Sequence, residues 1–282
     1  MEWEKAKNYI LLFFVLLNLA LGGLLFMESR RYSMTPEREQ AIMTILNQNN
    51  ITMDTALLRR FAPMRAMSIY GFYYDTDELV SIFFGNAAVQ RTTNFRGYVV
   101  TRRPAVLEIS NGFVTYNNPR GRGEISELTQ AEAQRVADIF IRANWPDFRL
   151  DIVYSGDDWL LLSYRQVYRG HKIHSNFIEI LVTEEGIVRV EMQYGRVHGW
   201  ESPDQQPIVS PDEALLTFVQ RIRGHAQIAP ITITHMDLVY FLEEGSTEPY
   251  VLHRAVPFYR VFVAGEGSDP FLINAFTNEK IN

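Results

Sequence analysis

The sequence has 282 residues, of which 47% are hydrophobic and 13% aromatic, so the chain can bury a substantial core. Its formal net charge of -6 argues against nucleic acid as a partner, because binding to the phosphate backbone depends on an excess of lysine and arginine. The complete absence of cysteine excludes disulfides, thiolate catalysis and cysteine-based metal sites.

The first element along the chain is an apolar segment, residues 9–27, which contains no charge and a single polar side chain, Asn18. A helix rises ~1.5 Å per residue, so this segment is long enough to cross the ~30 Å hydrocarbon core of a bilayer. The sequence therefore predicts a cytoplasmic tail over 1–8, a transmembrane helix over 9–27 and an extracytoplasmic remainder. We expect a single-pass protein of the cell membrane.

A cleaved signal peptide is the alternative interpretation of this segment. The small residues of Ala20-Leu21-Gly22 could form a cleavage site. The apolar run continues to Met27, beyond such a cut, and this favours an uncleaved anchor. A lipoprotein signal is excluded because the chain has no cysteine to acylate.

Amphipathic and cationic side chains flank the predicted span: Trp3, Lys5 and Lys7 before it, and Arg30 and Arg31 after it. We predict that they anchor the helix at the lipid headgroups, where an indole ring and long cationic stems are favoured. The two lysines and the two arginines balance, so loop charge alone does not set the orientation. A short tail with two lysines and the α-amino group is costly to translocate, which favours a cytoplasmic N-terminus.

One face of the predicted span has the composition of a helix interface. Asn18 and Gly22 lie one turn apart and in line with Leu11, Val15 and Leu25. Because lipid gives no hydrophobic drive for helix association, close packing at small residues and interhelical hydrogen bonds decide it. We therefore predict that this face binds a partner within the membrane. The alternative is that the polar side chain is merely tolerated there.

The beginning of the chain resembles a known family. A Met-acid-Trp-x-Lys-x-Lys start runs directly into one apolar helix and is followed by a cysteine-free, β-rich domain, as in the YycI (WalI) family of accessory membrane proteins of the WalK/WalR (YycG/YycF) two-component system. The resemblance is sharpest over the first thirty residues and again from Val256 to Thr277. It implies a regulator of cell-wall homeostasis whose partners are a WalK-like (YycG-like) sensor histidine kinase and a YycH-like accessory protein.

After the span, the segment 32–123 is predicted to form an N-terminal extracytoplasmic α+β unit. Its helix begins at Pro36, after Ser33 and Thr35, and ends near Asn49. The further predicted elements are a strand over 64–70, a helical turn over 75–84 closed by Gly85, a strand over 98–101, and two strands joined at Asn111-Gly112. The run NNPRGRG, residues 117–123, is predicted to be a linker.

The rest of the chain shows an internal repeat, over 124–200 and 201–282. Thr129-Gln-Ala-Glu132 and Ser210-Pro-Asp-Glu213 are both capping boxes that open a helix. Each helix precedes a set of predicted strands: 150–154, 159–168, 177–183 and 187–194 in the first copy, and 236–240, 250–254, 258–264 and 271–276 in the second. The expected fold class is α+β, with two helix-plus-antiparallel-sheet units. The family resemblance implies that these units are PepSY-like.

Few residues of the chain suggest catalytic chemistry, and none of the common hydrolase, metalloprotease or nucleotide-binding motifs is present. His171 and His174, with Glu179 nearby, are three residues apart, so on a strand they would face opposite sides. Asp157-Asp158 is interpreted as an acidic turn. Four arginines could bind an anionic envelope polymer, but we interpret them as solvated loop residues: Arg102, Arg103, Arg120 and Arg122. We expect no catalytic residue, cofactor or metal.

The sequence thus favours a non-enzymatic, membrane-anchored regulator that modulates a sensor histidine kinase through transmembrane and extracytoplasmic contacts. Two alternatives belong to other classes. One is a membrane-tethered binding module for a cell-envelope polymer or peptide, which would use the exposed edge of the strand at Phe271–Phe276 for strand addition. The other is a tethered hydrolase, which would need a pocket with converging titratable groups.

Overall fold

The computed structural model describes residues 2–72, 74–94, 97–110, 112–123, 125–223, 230–243, 251–265 and 269–280, with the side chains of residues 2, 4, 5, 24–26, 28–30 and 94 outside the description. The described chain is a mixed α+β protein with an N-terminal apolar helix and a large sheet domain. Asn111 of the predicted hairpin turn and Tyr250 of a predicted strand lie outside the described residues.

The described part of the chain contains the helices α1 (Glu2–Arg31), α2 (Pro36–Gln48), α3 (Thr76–Phe84), α4 (Gln130–Asn144) and α5 (Pro211–Arg223). Local sequence explains where they begin. Thr35, Asp75 and Thr129 each accept a hydrogen bond from a backbone N–H in the first turn of α2, α3 and α4, respectively. Gly85 follows α3 with a positive φ of 62°, a conformation that glycine adopts without strain.

The strands come in three groups along the chain. The first group is β1 (Ile51–Met53), β2 (Met67–Tyr70), β3 (Gln90–Asn94), β4 (Gly97–Arg102), β5 (Ala105–Ser110) and β6 (Phe113–Asn117). The second is β7 (Phe148–Ser155), β8 (Leu160–Tyr168), β9 (His171–Thr183), β10 (Gly186–Gln193) and β11 (Arg196–Trp200). The third is β12 (Ile231–Leu242), β13 (Leu252–Val263) and β14 (Phe271–Asn274).

The chain divides into two compact units. Unit 1 consists of Met1–Met64, Gln206–Asp237 and Tyr259–Asn282, and unit 2 of Arg65–Gln205 and Leu238–Phe258. This division differs from the predicted one, in which boundaries fall between 123 and 124 and between 200 and 201. It falls within β12 and β13, each of which contributes residues to both units.

Unit 1 contains α1, α2, α5, β1 and β14, together with the unit 1 portions of β12 and β13. Helices α2 and α5 bury Ile42, Leu46 and Phe218. An ion pair joins the two helices, since the guanidinium of Arg38 lies 2.7 Å from the carboxylate of Asp212. The strand β1 lies parallel to β12 and pairs through Ile51 and Ile231.

Unit 2 is built on antiparallel strands in the order β7-β8-β9-β10-β6-β5-β4-β3. Helix α4 packs against β8, β9 and β10, and buries Ala133, Ala137 and Ile141 there. Side chains alternate along each strand, so residues between the buried ones point to the opposite face of the sheet. We call that opposite face the outer face. It is where the polar groups and the groove described below lie.

After Asn117, the last residue of β6, the segment 118–123 is a loop within unit 2, whereas the sequence predicted a linker between two units at 117–123. The strand before this loop, β6, pairs with β10, which lies well after it in the sequence. A Cβ on Gly121 would overlap the carbonyl group of Glu185, so the loop packs closely on the turn between β9 and β10. Glycine is needed here for close packing and does not indicate a flexible connection.

Two strand predictions also need correction. The predicted strands 250–254 and 258–264 are one strand, β13, which passes through Pro257. Pairing of β13 with β2 ends at Ala255, so the missing amide of Pro257 removes no hydrogen bond from that ladder. The strands β1, β3 and β11 were not predicted. The first copy of the predicted repeat lies in unit 2, whereas the strands of the second are divided between both units, so the repeat remains a prediction.

Candidate functional site

Helix α1 presents an apolar surface that the protein does not cover. Within it, Ala6–Gly23 is long and apolar enough to cross a membrane, and none of this segment is buried. An N-terminal apolar helix of this kind is a single membrane span or a signal sequence. In water each exposed leucine or phenylalanine forgoes ~1.5–3 kcal/mol that burial would supply. The surface of α1 therefore requires lipid or a partner helix around it.

The residues predicted to bind a partner lie on one face of α1. Leu11 is 65% and Val15 48% exposed, and Asn18 and Gly22 are exposed as well. At 3.6 residues per turn these positions fall within a narrow arc, which continues at Leu25, whose side chain lies outside the described residues. We call Leu11, Val15, Asn18, Gly22 and Leu25 the stripe. A Cβ added to Gly22 meets no atom within 4 Å, so the helix surface is open there.

The amide of Asn18 is partly satisfied within its own helix. Its Nδ2 donates to the backbone carbonyl of Phe14 at 2.8 Å. An amide side chain offers two N–H donors and one carbonyl acceptor, so one N–H and the carbonyl remain for another group. Among the described residues, Asn18 has no second partner. The stripe therefore carries one donor and one acceptor at the middle of an otherwise apolar surface.

The predicted interface anchors lie at the two ends of α1. Trp3 is 80% exposed, and Lys7 and Arg31 are exposed. The guanidinium of Arg31 lies 5.9 Å from the ring centre of Tyr32, which places a cation and an aromatic ring together just after the apolar segment. The side chains of Lys5 and Arg30 lie outside the described residues.

The structure does not bring His171 and His174 together. Both lie on β9, where residues three apart point to opposite faces. The ring of His171 packs 5.7 Å from the ring of Trp200, and the ring of His174 lies 5.5 Å from that of Phe241. Burial lowers the pKa of His171 below its ordinary value. In the part of the chain that the structure describes, no three histidine, aspartate or glutamate side chains are grouped to hold a metal.

The arginines considered for an anionic polymer have different roles. Arg122 donates to the backbone carbonyl of Ile82 at 2.9 Å and lies over the ring of Phe140, so it holds α3 and α4 in place. Arg102, Arg103 and Arg120 are exposed.

The predicted binding edge at Phe271–Phe276 is covered by the chain itself. The strand β14 ends at Asn274 and pairs with β13 on one side. On its other side, Ile273 forms an antiparallel bridge with Lys280, and the backbone N–H of Asn274 donates to the carbonyl of Glu279. These bonds occupy backbone groups that an added strand would need. The structure therefore does not support strand addition at this edge.

A groove lies on the outer face of unit 2. Its volume is about 360 Å³, and it is lined by Asp158, Trp159, Leu161, Leu181, Thr183 and Arg189. We call these six residues the groove. The pairing register brings Leu161 of β8 opposite Leu181 of β9, and Leu181 opposite Arg189 of β10. The hydroxyl of Thr183 donates to Glu185 and so lowers the pKa of that carboxyl group.

Sequence reasoning missed the groove as a site. Its lining comes from three strands and the turn before β8, and only the register brings these residues together. A signal is nevertheless present. Leu161 and Leu181 are apolar at positions that alternate with the buried Leu162 and Ile180, so both faces of β8 and β9 carry apolar side chains. A strand with one solvated face would carry polar residues at these positions.

Comparisons with known proteins show a similarity of fold but do not assign the chain to a family. No protein-family model matches the chain, and no curated protein does. The chain is similar to an uncharacterized protein from Eubacterium rectale ATCC 33656, known from a crystal structure at 1.45 Å resolution, with a TM-score of 0.55 and 12% identity over 82% of this chain and 89% of that one. At this identity the likeness concerns the fold alone.

A weaker similarity is to the C-terminal domain of YpeB from Bacillus megaterium. The TM-score is 0.40 and the identity 11%, over 74% of this chain and 96% of that one. This score is below the range that indicates a shared fold.

Proposed function

We propose that this chain is a non-enzymatic, membrane-anchored regulator of a sensor histidine kinase. In this proposal α1 spans the cell membrane, residues 1–8 lie in the cytoplasm, and the rest of the chain lies outside. The stripe contacts transmembrane helices of the kinase and of an accessory protein. The proposal includes membership of the YycI (WalI) family and PepSY-like helix-plus-sheet units, on the strength of the family resemblance.

The observation that carries the proposal is the fully exposed apolar surface of α1. The described side chains of this helix have no cover within the chain, and the stripe is the face on which small and polar residues coincide. Close approach at Gly22 would bring two helix backbones together. The free N–H and carbonyl of Asn18 would then form an interhelical hydrogen bond, worth ~0.6–2 kcal/mol in lipid.

Regulation adds a thermodynamic condition to this contact. A partner that binds the active and inactive kinase equally would shift nothing, however tightly it binds. The stripe must therefore fit one state of the kinase helices better than the other. A shift from 10% to 90% of one state would require a difference of ~2.6 kcal/mol, which one hydrogen bond together with packing along the stripe could supply.

The first experiment tests the topology. Because the chain contains no cysteine, single cysteines can be introduced without background. A cysteine at position 7 and a cysteine at position 40 should react differently with a membrane-impermeant maleimide in intact cells. We expect labelling at 40 only. Labelling at 7 only would reverse the orientation, and loss of residues 1–22 from the mature protein would show a cleaved signal peptide.

The second experiment tests the contact. A photocrosslinking amino acid is placed at position 18 or at position 20, which lies on the opposite side of the helix, and crosslinked products are identified by mass spectrometry. We expect capture of a sensor histidine kinase or its accessory protein from 18 and little from 20. Equal capture from both positions, or capture of neither protein, would contradict the proposal.

A further inference from the structure

The groove has a lining that the membrane anchor does not explain. It lies wholly within unit 2, and its interpretation does not depend on the proposed function of α1. Its volume of about 360 Å³ is within the range of ligand sites in proteins, and is enough for a few amino-acid residues.

The floor of the groove is apolar. Leu161 and Leu181 are directly opposite each other in the ladder between β8 and β9, and both are only half-buried. At the next outward pair of positions on the same strands, the hydroxyl of Ser163 donates to the carboxylate of Glu179. The two leucines therefore form a small apolar surface beside this polar pair. Such a surface suits the methylene stem of a long side chain.

One wall of the groove is a fixed aromatic ring. Trp159 is 36% exposed and immediately precedes β8. Its indole packs on the turn at Gly156, where a Cβ would overlap the ring nitrogen. The backbone N–H of Gly156 also donates to the carbonyl of Trp159 at 2.9 Å. The ring is thus held in position before any ligand binds, and tryptophan is the best aromatic partner for a cation.

The charge around the groove favours a cation. Asp158 lines the groove together with Trp159, and within the described residues its carboxylate has no hydrogen bond or ion pair. Thr183 holds the carboxylate of Glu185 at the same end of the sheet. The positive charge of Arg189 is offset by Glu191, whose carboxylate lies 3.4 Å from its guanidinium. An anionic ligand in the groove would therefore meet the uncompensated carboxylate of Asp158.

We propose that the groove binds a short peptide segment carrying a lysine or arginine side chain. The methylene stem of that side chain lies on Leu161 and Leu181, and its cation lies between the indole of Trp159 and the carboxylate of Asp158. Arg189 faces the backbone carbonyls of the same peptide. The ligand class is thus a basic peptide.

The test uses the full-length chain in a nonionic detergent with ¹⁵N-labelled tryptophan. The chain has four tryptophans, and the indole N–H signal of Trp159 is assigned by its loss in Trp159→Phe. The probes are acetyl-Ala-Lys-Ala-amide, its glutamate counterpart acetyl-Ala-Glu-Ala-amide, and chitotriose as a neutral glycan. We expect the lysine peptide to shift the Trp159 signal in a saturable way, and the other two probes to leave it in place.

Two charge-matched variants locate the contact. Asp158→Asn removes the groove carboxylate, and Asp147→Asn removes an exposed carboxylate elsewhere in unit 2. We expect Asp158→Asn to lower the affinity for the lysine peptide about fivefold, the effect of losing one exposed charge contact. Asp147→Asn should leave that affinity unchanged. Unshifted signals from the other tryptophans establish that each variant is folded.

Several results would overturn the inference. These are no saturable shift with the lysine peptide, an equal shift with the glutamate peptide, a shift with chitotriose only, and equal weakening by the two variants.

Discussion

Two asparagines show how differently two regions of this protein satisfy a polar group. Asn176, on β9 of unit 2, is fully buried. Its Nδ2 donates to Gln166 at 2.6 Å and to the carbonyl of Gly195 at 3.0 Å, and its Oδ1 accepts from the N–H of Gly195 at 3.1 Å. Asn18, on α1, is exposed, and among the described residues its side chain bonds to Phe14 alone, in the same helix.

The difference separates residues that maintain the fold from residues that face outward. In unit 2 the buried amide of Asn176 has partners for its N–H and carbonyl groups, and α4 covers the apolar side chains on one face of the sheet. Helix α1 has neither kind of cover. A substitution in unit 2 should therefore lower the free energy of unfolding without reducing partner capture per folded molecule. A substitution in the stripe should reduce partner capture without lowering the free energy of unfolding.

Replacing Asn176 by Ala should have the largest effect on stability. The change leaves the buried N–H and carbonyl of Gly195 without partners, which costs ~1–3 kcal/mol per group. We expect the free energy of unfolding to fall by about 3 kcal/mol, as measured by urea denaturation of the full-length chain in detergent. Asn18→Ala is the matched control and should leave it unchanged. Equal losses in the two variants would remove the distinction between the regions.

Replacing Gly22 by Ile should have the largest effect on partner capture. A branched side chain on the open surface at Gly22 holds a neighbouring helix away. We expect capture from a photocrosslinker at position 18 to fall about three- to thirtyfold, which corresponds to a loss of ~0.6–2 kcal/mol. Ala20→Ile adds similar bulk on the opposite side of α1 and should leave capture intact. If both variants reduce capture alike, the stripe is not the interface.

The capping residue of α4 offers a smaller test within unit 2. Thr129 accepts a hydrogen bond from the backbone N–H of Glu132 at 3.3 Å. Thr129→Ala should lower the free energy of unfolding by about 1 kcal/mol, the usual contribution of an N-cap. Thr44→Ala is the control, since Thr44 lies inside α2 and its hydroxyl donates to the backbone carbonyl of Gln40 within the same helix. A loss of the same size in the control would show that the cap is not the cause.

The smallest expected effect is a pH dependence that only the soluble fold should show. Burial lowers the pKa of His171 below its ordinary value of 6.5, so the unfolded chain takes up this proton more readily than the folded chain. The contribution of His171 to the free energy of unfolding is fully present above pH 6.5, and it is lost as the pH falls from 6.5 toward the lower pKa of the folded chain. His171→Phe should therefore lose less stability between about pH 7.5 and about pH 5 than the parent chain. An identical loss in both would show that His171 does not contribute.

Local sequence predicted the helices well because their signals are local. Thr35 and Thr129 cap α2 and α4 through bonds that span three residues, and the amphipathic pattern of α2 buries Ile42 and Leu46 as expected. The apolar segment 9–27 lies within α1. These patterns can be recognised from the segment itself, without knowing which other segments it packs against.

The missed features depend on partners far away in the sequence. The strand β1 has three residues, too few for an alternating pattern, and is defined by its pairing with β12. The loop 117–123 looks like a linker until Gly121 is seen to pack on Glu185. The groove needs the register of β8, β9 and β10 to bring Leu161, Leu181 and Arg189 together.

The central claim is that the stripe couples this protein to the activity of a sensor kinase. Its most direct test is the phosphorylation level of the kinase's response regulator in cells that carry the parent chain, Gly22→Ile, Ala20→Ile or no copy of the protein, at equal expression. We predict that Gly22→Ile shifts phosphorylation toward the level of cells without the protein, whereas Ala20→Ile matches the parent. Parental phosphorylation in Gly22→Ile cells would contradict this account.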